Sequence, residues 1–154
     1  MHRESLSPFR GRSQPPRPRR APRRRAELEA LEDRRLLAAS LSISSGALLF
    51  QAAGGAMNLS LSVDSATDVY TLTDPTQAIA LGAGTGAWTL SPDGHTATGP
   101  ASSFTSIAVQ GDAGAFNDVV SVGSTKAPTT IATGAGDDSF FFSPGGIDAA
   151  VTLS

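Results

Sequence analysis

The sequence predicts an all-β body, a parallel β-solenoid with a β-sandwich as the alternative, behind a disordered basic tail and a short helix. Three observations lead there. The first is a loose repeat. Ile79-Ala80-Leu81-Gly82-Ala83-Gly84-Thr85-Gly86-Ala87-Trp88 returns as Ile131-Ala132-Thr133-Gly134-Ala135-Gly136-Asp137-Asp138-Ser139-Phe140, Ile107-Ala108-Val109 opens another copy, and Ala150-Val151-Thr152 begins a fourth. The anchors Ile79, Ile107, Ile131 and Val151 stand 28, 24 and 20 residues apart. A unit of that size cannot bury its own apolar face and must stack on neighbours. The second observation is a period of two from Ser40 onward, and the third is regular punctuation by Gly, Asp and Pro. Short strands between turns at such spacing also suit two packed sheets, which keeps the sandwich open.

Residues 1–25 are rich in Pro and Arg, as in Gln14-Pro15-Pro16-Arg17-Pro18-Arg19-Arg20. Proline removes backbone donors, the arginines repel, and little apolar surface offsets the entropy of ordering, so this leader is expected to be disordered. Residues 26–39 are strong helix formers, with acids early and arginines late, as the helix dipole favours. They predict a short helix with Leu28, Leu31 and Leu36 on one side.

Residues 40–154 form the expected β-repeat domain. Leu41 and Ile43 alternate with serines; Met57, Leu59, Leu61 and Val63 alternate with Asn58, Ser60, Ser62 and Asp64; Tyr70 and Leu72 continue the pattern. Such alternation marks half-buried strands. Gly54-Gly55, Asp74-Pro75, Pro92-Asp93-Gly94, Gly99-Pro100, Gly111-Asp112 and Pro144-Gly145-Gly146 read as turns. The last copy stops at Ser154, so the sequence predicts either a truncated domain or a strand edge that meets a partner.

Charge is sorted along the chain. Eleven of the twelve basic residues are arginines between Arg3 and Arg35, and residues 1–35 carry a net +6. The remainder carries Lys126 against nine aspartates, a net −8. There is no cysteine, which excludes disulfides, zinc-thiolate sites and cysteine nucleophiles.

Leu28-Glu29-Ala30-Leu31-Glu32-Asp33-Arg34-Arg35-Leu36-Leu37-Ala38 resembles the Leu-Glu-x-Leu-Glu-Pro-Arg-x-Leu-Leu motif that opens many large secreted or surface proteins of planctomycete-type bacteria. Asp33 stands where that motif has proline. The matching residues are Leu28, Glu29, Leu31, Glu32, Arg34, Leu36 and Leu37. The resemblance implies export, followed by repetitive β-rich or calcium-binding modules, and implies no enzymatic activity.

Gly134-Ala135-Gly136-Asp137-Asp138-Ser139-Phe140 resembles one unit of the RTX calcium-binding nonapeptide, and the stretch from Gly111 to Val119 echoes it more loosely. In such a unit, glycines let carbonyls turn inward and aspartate supplies a hard oxygen. The candidate calcium ligands are Asp112, Asp118, Asp137 and Asp138, and no other cofactor is expected. The simpler alternative is that Gly-Asp pairs are solvated turns.

The arginine tail suits the positive flank of an export signal, an anionic membrane surface or nucleic acid. It lacks interleaved aromatics, which makes nucleic acid the least favoured partner. The uncharged run from Leu36 to Val63 fits a signal core in charge, but its serines and alternation fit strands better. His2 and His95 are too far apart in sequence for a histidine metal site, and His95 is expected to be solvated in its turn. No Gly-x-Ser-x-Gly elbow with a matching base is present. Trp88, Tyr70 and Phe140-Phe141-Phe142 fit either a sugar-stacking strip or core plugs. These readings converge on a non-enzymatic exported protein of the cell surface or extracellular space. Its expected role is structural or adhesive. The expected partners are a cell-envelope or matrix component and further copies of the chain, met through open strand edges.

Overall fold

The computed structural model describes residues 38–143 and 146–154. The expected leader, most of the expected helix and all but Ala38 of the export-like segment lie outside them. The strands are β1 (Ala38–Ser44), β2 (Ala47–Gln51), β3 (Asn58–Asp64), β4 (Val69–Thr73), β5 (Ala78–Leu81), β6 (Thr89–Leu90), β7 (Thr96–Pro100), β8 (Ser106–Gln110), β9 (Val119–Val122), β10 (Thr129–Ala132), β11 (Ser139–Phe142) and β12 (Val151–Leu153). Among the described residues the only helical element is a 3-10 turn at Ala101–Ser103.

The body is all-β and consists of two mixed sheets. One runs β5-β1-β2-β8-β10-β12, the other β6-β7-β4-β3-β9-β11. The period of two sets the faces. In β3, Leu59, Leu61 and Val63 turn inward while Asn58, Ser60 and Ser62 face water. Leu41, Phe50, Val109 and Ile131 line the core from the first sheet; Leu61, Leu72, Val120 and Val122 line it from the second.

Pairing is antiparallel for β1 with β2, β3 with β4, β4 with β7, and β6 with β7. It is parallel for β1 with β5, for β2-β8-β10-β12 and for β3-β9-β11. A uniform parallel stack therefore does not describe the whole body, and the two-sheet, sandwich-like arrangement fits the alternative. From β8 onward the chain crosses to the other sheet with every strand.

Several expectations shift in detail. Ala38 and Ala39, the end of the expected helix, belong to β1, because pairing with Ala78 and Ile79 outweighs alanine's helix preference. Ile79 lies in β5 beside β1 and is not stacked on Ile107. Its Gly82-Ala83-Gly84 stretch stays with β1, receiving Ile43 N–H at Ala83 and donating Gly82 N–H to Leu41. The stacked set is Ile107, Thr129 and Val151, at intervals of 22 residues, with Val109, Ile131 and Leu153 beside them. Ile107 and Ile131 are thus in the right strands but offset by one inward position.

The β1–β2 hairpin is absent from the sequence reading. Its signal is Ser45-Gly46 between apolar runs: both residues have positive φ, 51° and 80°, the requirement of a two-residue type I′ turn. Trp88 is a core plug, 4% exposed, tilted against Phe104 at 6.2 Å. Its ring lies where a side chain at Gly99 would project, so β7 needs glycine there. Tyr70 is wholly buried and meets Phe104 edge-on at 5.0 Å.

Candidate functional site

Three chain segments lie in register at one corner of the body, where strands of the first sheet lead into strands of the second. They are residues 52–57 between β2 and β3, 111–118 between β8 and β9, and 133–138 between β10 and β11. Backbone bonds tie neighbouring segments at both ends. Ala52 N–H donates to Gln110 (2.8 Å) and Gly111 N–H to Ala132 (2.7 Å); Val119 N–H donates to Met57 and Ser139 N–H to Asp118, each 2.8 Å.

Between those bonds the turn leaves other backbone donors without a strand carbonyl, and aspartates meet them. Asp118 Oδ1 accepts Met57 N–H at 2.8 Å, and Asp138 Oδ1 accepts Asp118 N–H at 2.9 Å. Val119 and Ser139 are register partners, so Asp118 and Asp138 occupy the same place in successive segments. Each carboxylate holds the main chain of the segment beneath it. Asp138 Oδ2 also accepts the Thr133 hydroxyl. Asp112 accepts Gly54 N–H across segments and Gly114 N–H within its own turn. Asn117 plays the same part for Asp137 N–H, at 3.0 Å.

The lowest segment has its own supports, which the sequence reading missed. Gln77 Oε1 accepts Ala53 N–H, while its amide donates to the Gly55 and Ala56 carbonyls. Asp74, fully buried, accepts Thr76 N–H, Thr76 O–H and Gln77 N–H on one oxygen and Asn58 N–H on the other. Asp74-Pro75-Thr76 is a sequence signal for such an Asx turn. His95 is more than a solvated turn residue. Its Nδ1 lies 2.7 Å from the Asp74 carbonyl and 3.1 Å from that of Gln77, and two acceptors require Nδ1 to carry the proton.

Electrostatics separate the two stacked aspartates. Asp118 is 1% exposed, and burial first of all pushes its carboxyl above the ordinary range; the Met57 N–H opposes this, and Asp138, Asp74 and Asp112 add to it. Asp138 is held below that range by the Thr133 hydroxyl and the Asp118 N–H. Asp118 binds its proton more tightly folded than unfolded. It therefore destabilises the fold progressively as pH rises above the ordinary aspartate pKa of 3.8. Asp138 contributes in the opposite sense, with stability lost as pH falls below 3.8 toward its folded pKa. Asp118→Asn keeps an acceptor for Met57 N–H and removes the charge. The melting temperature of Asp118→Asn relative to wild type should rise between pH 4 and pH 7; a constant difference counts against the coupling.

Of the four sequence candidates for calcium, the structure brings Asp112, Asp118 and Asp138 to one corner, and all three carboxylates accept hydrogen bonds. Asp137 is exposed at the rim and enters through its backbone. Among the described residues no three His, Cys, Asp or Glu side chains converge in the way that holds a metal ion. Away from this corner, a shallow groove is lined by Thr67, Pro100, Ala101 and Ser102 and crossed by the exposed Lys126–Asp68 ion pair. Tyr70 and Trp88 are buried and offer no stacking face, whereas Phe141 is 58% exposed.

No family model, curated protein or solved structure matches the chain. No helix among the described residues is long and apolar enough to cross a membrane.

Proposed function

We propose that the body is a short two-sheet β-solenoid joined to a mostly antiparallel end, and that the chain is a non-enzymatic structural or adhesive module of an exported surface or extracellular protein. The supporting observation is the run β8-β9-β10-β11-β12. Its strands alternate between the sheets, each parallel to the strand two places earlier. Asp118 and Asp138 work as struts between coils, so the polar groups with the most distinctive surroundings are occupied in holding the main chain. Of the ten charged side chains in residues 38–154, only Asp64, at the end of β3, belongs to a strand. Two nearly uncharged sheet faces suit lateral packing in a matrix better than binding of an ionic substrate. Export rests on the resemblance of Leu28–Ala38 to the planctomycete-type motif. Fractionation of cells that express the tagged full chain tests the reading: recovery in the envelope or medium is expected, and confinement to the cytosol rejects it.

Calcium binding is the second reading; it rests on the resemblance of Gly134–Phe140 to the RTX unit and on the repulsion that Asp138, Asp74 and Asp112 each exert on Asp118, although no three of these side chains converge on one point. A bound divalent ion would offset their repulsion. Heat on calcium titration and a higher melting temperature with calcium than with EGTA are expected; neither appearing removes this reading. Binding of nucleic acid or an anionic surface through Arg17–Arg25 is tested by salt-sensitive retention of the full chain on DNA or on anionic vesicles.

A further inference from the structure

Residues 74–77, between β4 and β5, bring together groups that their structural role does not exhaust. The β6–β7 turn pins them. Asp74 N–H donates to the His95 carbonyl at 3.0 Å and Ile79 N–H to that of Gly94 at 2.8 Å, so this turn lies over the edge of β5. Within the turn, Asp93 accepts His95 N–H and Ser91 Oγ accepts Thr96 N–H, which fixes the His95 backbone. The ring then points its Nδ1–H at the Asp74 carbonyl oxygen, 2.7 Å from Nδ1, and at the more distant Gln77 oxygen, 3.1 Å away.

The nearer carbonyl is that of an Asp–Pro peptide. Proline makes the amide tertiary and leaves its nitrogen without a hydrogen to donate. Pro75 is exposed, so water reaches that nitrogen, while Asp74 is fully buried. The Asp74 carboxylate folds over the same peptide: its Oδ1 accepts Thr76 N–H at 2.8 Å and Gln77 N–H at 3.1 Å, both beyond Pro75 in the chain. Among the described residues Oδ2 accepts only Asn58 N–H, at a long 3.3 Å, and keeps lone pairs free. An internal nucleophile, a donor on the carbonyl oxygen and a leaving nitrogen open to water thus meet at one peptide bond.

We propose that the Asp74–Pro75 bond is a self-cleavage site. Asp74 Oδ2 attacks the Asp74 carbonyl carbon and closes a five-membered cyclic anhydride through Cγ, Cβ and Cα. Negative charge gathers on the carbonyl oxygen, where His95 Nδ1–H already points. Collapse breaks the C–N bond, and its electron pair goes to the Pro75 nitrogen, which takes a proton from water. The hydroxide left by that transfer opens the anhydride. Asp74 then carries two carboxyl groups and Pro75 a free amine; the net reaction consumes one water and changes no oxidation state. Attack within a single residue needs no encounter, so proximity supplies much of the rate. The cut removes no strand pairing, since β4 keeps β3 and β7 and β5 keeps β1. Fragments 1–74 and 75–154 therefore stay associated until denatured. The chain acts once on itself, with no second substrate, so the proposal stands apart from the structural role above.

Incubation of the purified full chain at pH 5 tests this, read by intact mass under denaturing conditions and by sequencing of new N-termini. Fragments ending at Asp74 and starting at Pro75 are expected. They should form at least about tenfold faster in the folded chain than in concentrated urea, where the His95 donor is lost. His95→Ala is expected to slow the cut by about a hundredfold. Pro75→Ala replaces an exposed ring that donates no bond, so the fold should persist, and no cut at this position is expected. Absence of the fragments from folded wild type overturns the proposal. So does equal or faster cleavage in urea, a folded His95→Ala protein cut at the wild-type rate, or a Pro75→Ala protein cut at the same place. Should His95→Ala lose its β-rich circular dichroism spectrum, the comparison of folded with urea-unfolded wild type decides alone.

Discussion

Tyr70→Ala is expected to destabilise the body by about 5 kcal/mol, enough to unfold much of a domain of ordinary stability. Two effects combine. The ring is completely buried against Phe104, and its removal leaves a cavity between β4 and the segment after β7. The hydroxyl accepts Lys126 N–H at 2.8 Å and Ala127 N–H at 3.1 Å, and lies 3.2 Å from Thr125 Oγ1. Those donors belong to the turn that leads from β9 to β10. Tyr70 thus joins the antiparallel end of the body to its parallel run. Tyr70→Phe separates the contributions: it keeps the ring and leaves Lys126 N–H without its acceptor, while Ala127 N–H retains Thr125 Oγ1 at 3.2 Å. A loss of about 2 kcal/mol is expected from that single change. Urea unfolding of the three proteins measures both steps. A Tyr70→Phe protein as stable as wild type would show that the hydroxyl is not needed.

Gly111→Ala is expected to cost about 3 kcal/mol, at the upper end of ordinary overpacking. A Cβ at this position would overlap the backbone carbonyl oxygen of Thr133 and lie 2.7 Å from Asp118 Oδ2. A flexible side chain could swing aside, but a carbonyl in the next segment cannot move without straining the Gly111–Ala132 bond that ties the two segments. Damage should spread to the Asp118 and Asp138 contacts, so the amides of Met57 and Asp118 should exchange faster. Gly86→Ala is the control: nothing lies within 4 Å of its added Cβ, and its stability should stay within about 1 kcal/mol of wild type. Equal losses at both glycines would mean that backbone entropy, and not crowding at the corner, sets the cost.

How much was legible varied by element. The strands β3 and β4 were plain, because one residue in two is apolar and strand geometry turns every second side chain inward. Ser45-Gly46 sits among serines that mask its hairpin signal, a small residue and glycine between apolar runs. The likeness of the Ile79 and Ile131 segments was real in composition but not in position. Both run from an apolar strand into Gly-Ala-Gly and on to the other sheet, but the first lies against β1 while the second lies against the segment between β8 and β9. The aspartates at 112, 118 and 138 stood out from their Gly-rich surroundings. Their use as acceptors for backbone groups 20 to 61 residues away depends on which segments stack, and no local pattern encodes that.

By itself the sequence determined the β character of residues 40–154, the faces of the strands, the position of most turns and the division of charge between a basic N-terminal stretch and an acidic body. These follow from local rules: side-chain alternation, turn chemistry and charge counting. Only the tertiary structure decided that Ile107 stacks on Thr129, that both sheets are mixed, that Tyr70 bridges distant strands, and that the β6–β7 turn covers the edge of β5. Register and partner choice between strands depend on how distant segments fill a common core, and one chain's linear pattern is compatible with several such fillings.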